Sequence, residues 1–105
     1  MHMQIVNFHL RGIDAEHYAK ICDDLAPAFG AVPGLLSKVW LANPRTGTFG
    51  GVYAWEDSAA MERYAQTDLF KAVVAHPNLA DITSSDFEVM ESPTRVTRGL
   101  AGVLT

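Results

Sequence analysis

Several function classes need residues that this sequence scarcely has. It holds one cysteine, Cys22, in 105 residues. No intrachain disulfide can form, and the place of Cys22 in a helical apolar pattern reads as a small buried hydrophobe rather than a nucleophile. Basic residues are outnumbered, eight against twelve acids for a formal charge of −4, so nucleic acid is not an expected partner. No close-set group of His, Asp and Glu suggests a structural metal site. No glycine-rich phosphate loop occurs, because Gly47, Gly50 and Gly51 belong to a hairpin and not to a strand-to-helix turn. No apolar run is long enough to span a membrane, and no charged n-region leads into an apolar h-region with a small-residue cleavage site. A cytoplasmic location is the resulting expectation. Met1-His2 reads as a cloning scar ahead of Met3, and His2 is assigned no role.

What the chain does have is apolar residues, 49% of the total. That is enough for one core in a chain of this length, and a single domain over residues 1–105 is expected. From Met3 to Leu10, Val6, Phe8 and Leu10 fall on one parity and Ile5, Asn7 and His9 on the other, which predicts a strand whose second face is partly polar. Asp14 is a cap for a helix carrying Tyr18, Ile21, Cys22, Leu25 and Phe29 at helical spacing, with Pro27 interrupting its last turn.

Residues 35–42 and 48–55 are strand-like runs joined by Asn43-Pro44-Arg45-Thr46-Gly47, a turn for an antiparallel hairpin. Lys38 shares a face with Leu36 and Trp40, and Tyr53 and Trp55 share one with Phe49 and Gly51. The sequence does not set which face meets which. Asp57 or Ser58 opens a second helix with Met61, Tyr64 and Ala65 inward, broken near Thr67 and capped again by Asp68. His76-Pro77-Asn78 stops it, and Ile82 to Met90 supplies a fourth strand.

The order βαββαβ predicts an α+β, ferredoxin-like domain, a four-stranded antiparallel sheet with both helices on one face. The uncovered face would be a large apolar patch on a monomer, so a homodimer pairing two sheets is expected, with the tail over 92–105 packing on the partner chain.

The run PGLLSKVW at 33–40, GGVY at 50–53, the W-x-D at 55–57, and FEV with SPTRVT across 87–97 together resemble the YdhR-type mono-oxygenase family. That family lies within the dimeric α+β barrel group of the antibiotic-biosynthesis mono-oxygenases. The resemblance implies a pocket between each sheet and its own helices. It also implies oxidation of phenols by oxygen without metal or flavin, the electron-rich substrate serving as its own reductant. Asn7, Trp40 and Tyr53 are comparable in type to the side chains that hold and deprotonate such a phenol. A second branch of the group degrades haem, and its second-helix pattern is similar to residues 64–76 here. Where those enzymes carry a tryptophan against the haem this chain has Tyr64, and where they carry the iron-ligating histidine it has Val74. On a continuous helix His76 would sit about 200° away from Val74 and point elsewhere. Haem degradation is therefore disfavoured, and no cofactor is expected.

The candidate catalytic residues are Asn7, Lys38 and His76. His9, Trp40, Tyr53, Trp55, Tyr64 and Phe70 are the candidate substrate contacts. Lys38 has two readings, a solvated strand lysine with its stem over Trp40, or a cation facing an aromatic pocket where it stabilises a phenolate. His9 and His76 are candidate bases because histidine is the side chain suited to proton transfer near neutral pH, and His76 also suits a helix C-terminus. The expected activity is a cofactor-independent mono-oxygenase acting on a small or polycyclic aromatic compound. The alternatives are a proton-transfer cyclase or isomerase in the same pocket, and a non-catalytic binder of a hydrophobic ligand.

Overall fold

Strand pairing in the computed structural model, which describes residues 1–100, follows the alternation of the sequence. β1 (His2–Leu10) lies inside a four-stranded sheet of order β2-β3-β1-β4, with β2 at Leu35–Asn43, β3 at Thr48–Trp55 and β4 at Leu79–Glu88. All pairs are antiparallel. The ferredoxin-like arrangement expected from the element order is the one observed.

Register assigns the faces that sequence left open. Gln4, Tyr53 and Lys38 form one row across three strands, and Val6, Gly51 and Trp40 form the next. Residues paired directly opposite share a face. These rows therefore lie beneath the helices, in a core built from Phe29, Tyr53, Trp55, Ala60 and Tyr64. At Gly50 a Cβ would lie 1.9 Å from the Val6 carbonyl oxygen. Only glycine lets β3 approach β1 this closely.

α1 (Ala15–Gly30) starts where Asp14 accepts from the His17 N–H at 2.8 Å, and it continues through Pro27. α2 (Ser58–Tyr64) is capped by Asp57, which accepts from the Ala60 N–H at 2.8 Å. The predicted break near Thr67 separates α2 from α3 (Asp68–Val74). The new cap, however, is Thr67 and not Asp68: the Thr67 hydroxyl accepts from the Phe70 N–H at 3.2 Å, leaving Asp68 inside the first turn.

Three boundaries differ from expectation. β1 begins at His2, whose ring pairs with the Asp86 carboxylate at 2.6 Å, so His2 has a structural role after all. β4 begins at Leu79 because a register shift between Asn7 and His9 lets Leu79 and Ala80 pair with Leu10 and His9. Asp81, at φ 57°, takes up the irregularity. The segment expected as plain tail contains α4 (Glu91–Val96), and Pro93 fits there because its missing N–H falls in the first turn. Leu100 is buried within its own chain. The remainder of the expected partner-packing tail, with Val103-Leu104, lies outside the described residues.

The sheet face away from the helices carries Ile5, Val39 and Phe87, 36, 56 and 55% exposed. Asn7 lies on this face by alternation with Val6 and Phe8. Among the described residues, no helix is long and apolar enough to cross a membrane.

Candidate active site

Lys38 and Trp40 occupy alternate positions of β2, so both side chains leave the sheet toward α1. Phe29, brought down by the last turn of α1, meets Trp40 edge to face with ring centres 5.4 Å apart. The Lys38 amine enters the angle between them. Its Nζ lies 3.4 Å from the Phe29 ring centre, 3.5 Å from that of Trp40 and 4.7 Å from that of Tyr53. The stem has room because its neighbour in the sheet is glycine: a Cβ at Gly51 would lie 3.0 Å from Lys38 Cε.

This cage forms one wall of a cavity of about 290 Å³ between the sheet and α1 and α3. Val6 and Phe8 line the sheet side, Tyr18, Cys22 and Leu25 the α1 side, and Leu69, Val73 and His76 the α3 side. Its surface is overwhelmingly apolar. Lys38 has no ion-pair partner among the described residues. Burial carries its pKa down from 10.5 to about 7. The ring faces attract the cation and act in the opposite sense, so amine and ammonium are both accessible near neutrality.

The tyrosines and the thiol around the chamber are held in their neutral forms. Burial raises the pKa of Tyr18 and Tyr53 well above the ordinary tyrosine value and pushes Tyr64 up to about 12. The Cys22 thiol is likewise raised by burial, against a smaller opposing pull from Lys38. Among these shifted groups, Lys38 is the one whose pKa moves toward neutrality.

His76 lines the cavity while Val74 is exposed, so the two point in different directions, as the helical projection expects. α3 ends at Val74, so His76 belongs to the following turn. Its Nδ1 accepts from the Asn78 N–H at 3.1 Å. In the neutral ring the hydrogen then sits on Nε2, which makes that nitrogen a donor rather than a base or a metal ligand.

Of the predicted site residues, Lys38, Trp40, Tyr53 and His76 come together around the cavity. Trp55, Tyr64 and Phe70 pack behind its wall. Trp55 is fully buried, stacks on Tyr53 with centres 5.9 Å apart, and donates from Nε1 to Gln4 Oε1 at 3.0 Å. Tyr64 packs against Trp55 and Phe70 at 5.2 and 5.5 Å. Asn7 and His9 are not brought in. Asn7 faces the far side of the sheet, and the exposed His9 ring meets the Asp81 carboxylate at 3.2 Å. Phe29, Tyr18 and Cys22 line the cavity, although their sequence pattern is that of helix core. Their shared helical face was the available signal, and it does not distinguish a packed face from one over a void.

The family model described as "Putative mono-oxygenase ydhR" matches residues 3–100. The chain belongs to that family. No protein of curated function matches the sequence. Among solved structures, this ydhR-family chain is similar to an antibiotic biosynthesis monooxygenase from Deinococcus radiodurans, itself called putative. The TM-score is 0.71 at 20% identity over 88% of this chain and 95% of that one. It is also similar to SnoaB, a cofactor-independent oxygenase from Streptomyces nogalater, with TM-score 0.65 and 21% identity over 87% and 95% of the two chains. A third is the haem degrader MhuD from Mycobacterium tuberculosis, with two haems bound, at TM-score 0.69 and 20% identity over 86% and 96%. At such identities the likeness shows the shared fold.

Haem does not fit the residues present. Val74 is 45% exposed and does not line the cavity. His76 has Nδ1 engaged as an acceptor, the reverse of the arrangement in which Nε2 binds a metal and Nδ1–H donates. No group of three potential metal ligands occurs among the described residues.

Proposed function

We propose that this ydhR-family protein is a cofactor-independent mono-oxygenase acting on a small or polycyclic phenol, with Lys38 as both proton acceptor and cationic anchor. The observation that carries this reading is an amine held over three aromatic faces inside a mostly apolar cavity, with no carboxylate in ion-pair contact among the described residues. An uncompensated buried ammonium is costly, and a phenol removes the cost by giving its proton to the neutral amine, leaving phenolate and ammonium as a pair. Lys38 then stabilises the anion it has made.

The flat faces of Phe29, Trp40 and Tyr53 suit a planar ring system, and a cavity near the lower end of about 300–1,000 Å³ favours few rings. Ionisation raises electron density on the conjugated carbon, which gives electrons to dioxygen more readily than the neutral phenol does. In the net step a phenol with a free ring C–H and one dioxygen give a quinone and one water. The balance closes: the substrate loses four electrons and two hydrogens, one from its oxygen and one from its carbon, while one atom of dioxygen stays in the product and the other leaves as water. His76, with its hydrogen on Nε2, is placed to donate to an oxygen anion. Trp55, Tyr64 and Phe70 hold the cage in position, and Asn7 and His9 take no part within their own chain.

The exposed Ile5, Val39 and Phe87 support a homodimer formed by pairing the open sheet faces. The test of activity is oxygen consumption by metal-free protein across a panel of phenols, with isotopically labelled oxygen traced into the product. One labelled atom per product, and no turnover in Lys38→Met, is the expected result. Conversion that continues under nitrogen would instead establish a proton-transfer enzyme, and binding without product would establish a carrier.

A further inference from the structure

The chain has three lysines, of which Lys20 on α1 and Lys71 on α3 are exposed and Lys38 alone points into a cavity. We infer that Lys38 is a covalent carbonyl site, forming an imine with apolar aryl or α,β-unsaturated aldehydes that enter the cavity, in a reaction that needs no oxygen. The inference does not depend on the oxygenase reading.

Three features of the geometry carry it. First, Nζ has neither a carboxylate partner nor a side-chain hydrogen bond among the described residues, so its lone pair is not tied up. Second, the cavity is lined by apolar and aromatic groups that draw an apolar aldehyde out of water. Third, Gly51 leaves the space in which the lysine stem lies, holding the amine on the cavity side of β2. The other titratable groups lining the chamber are Tyr18, Cys22, Asp24, Tyr53 and His76. The tyrosines and the thiol stay protonated at neutral pH and do not compete for the proton of the amine. Lowering of the Lys38 pKa by burial leaves a large fraction of free amine at pH 7.

The step is redox-neutral. The amine lone pair adds to the carbonyl carbon, forming the C–N bond, and the nitrogen proton passes to the carbonyl oxygen to give a carbinolamine. The C–O bond then breaks as the nitrogen lone pair forms the C=N bond and the second nitrogen proton is lost. One primary amine and one aldehyde thus give one imine and one water. His76 lines the same chamber and, with Nδ1 engaged by the Asn78 N–H, carries a ring hydrogen on Nε2 that can assist departure of the oxygen.

Trapping with cinnamaldehyde and sodium cyanoborohydride under nitrogen at pH 7 tests the inference, with sites assigned by peptide mapping. Expected is a saturable secondary-amine adduct on Lys38, formed at least about 10-fold faster than on the exposed Lys20 or Lys71, because the cavity gathers the aldehyde beside the amine. The α-amine of Met1 serves as an internal reference, being reactive in every variant. Lys38→Arg keeps the charge but should lose the fast adduct while Lys20, Lys71 and Met1 react as before. Labelling of Lys38 no faster than the two exposed lysines overturns the inference. Should the arginine variant fail to fold, the distribution of adducts in the wild-type protein decides the matter alone.

Discussion

Lys38 turns back onto Trp40, two residues further along the same strand, with its Nζ 3.5 Å from the ring centre. A strand lysine at the surface would direct its ammonium to water along the shortest path. Here the path leads inward, under Phe29, because Gly51 beside it leaves space and the ring faces attract the cation. The proposed reactivity of the protein follows from that inward turn.

Lys38→Met keeps the stem volume and removes the amine. Turnover should fall by at least about 100-fold, within the range set by loss of general-base catalysis. Folding should gain about 1–2 kcal/mol at pH 7, since an unpaired charge is replaced by an apolar group of similar shape. Thermal unfolding would then move up by roughly 4–8 °C per kcal/mol. Loss of stability in this variant would mean that Lys38 has a partner.

The pH profile has a defined sign. The proton acceptor is the free amine, so kcat/KM should rise with pH through about 7 and level off above it. Stability follows a related course. Between about 7 and 10.5 the unfolded chain retains a proton on Lys38 that the folded chain has released, so stability rises with pH across that window. Tyr18, Tyr53 and Tyr64 have raised folded pKa values, so their contribution is complete below 10.0 and is lost as pH climbs beyond it. Urea titrations at a series of pH values should therefore show a maximum close to 10.

The two tryptophans should separate by function. Trp40→Ala opens the cage and should weaken binding of a planar phenol by about 10-fold or more, for the loss of one stacking face. Trp55→Phe leaves the Gln4 acceptor without its 3.0 Å donor. That change should cost about 1–3 kcal/mol of stability with little change in affinity. Equal effects on affinity would place Trp55 in the ligand site.

The open sheet face gives a prediction about assembly. Phe87→Asp puts a charge on the open apolar face, at an edge-strand side chain 55% exposed in one chain. Sedimentation should show a dimer for the wild-type protein and a monomer for the variant, because a desolvated unpaired carboxylate opposes face-to-face packing. A wild-type monomer would leave the patch unexplained by this account.

The alternation of Val6 and Phe8 against Asn7, and the spacing from Tyr18 to Phe29, are enough to read the sheet and its first helix. The site is legible only in part. Whether Lys38 and Trp40 face the helices depends on a pairing with Tyr53 and Gly51 that no local pattern encodes. Asn7 stands out as an amide in an apolar strand, yet the same alternation puts it on the other side of the sheet. His76 points away from the direction of Val74, as the helical projection expects, but its arrival at the cavity depends on the turn after α3, which periodicity does not describe. Phe29 has the periodicity of core and is the ring nearest the amine, a role set by the distance between helix and sheet.

The most direct test is an NMR titration of Lys38 in protein labelled with 13C-lysine, assigned by comparison with Lys38→Arg. A midpoint near 7 is predicted, well below the 10.5 of an ordinary lysine, moving upward when a phenol is bound and the ammonium gains its anion. A midpoint near 10.5 that ignores the phenol would place the amine in water and contradict the account.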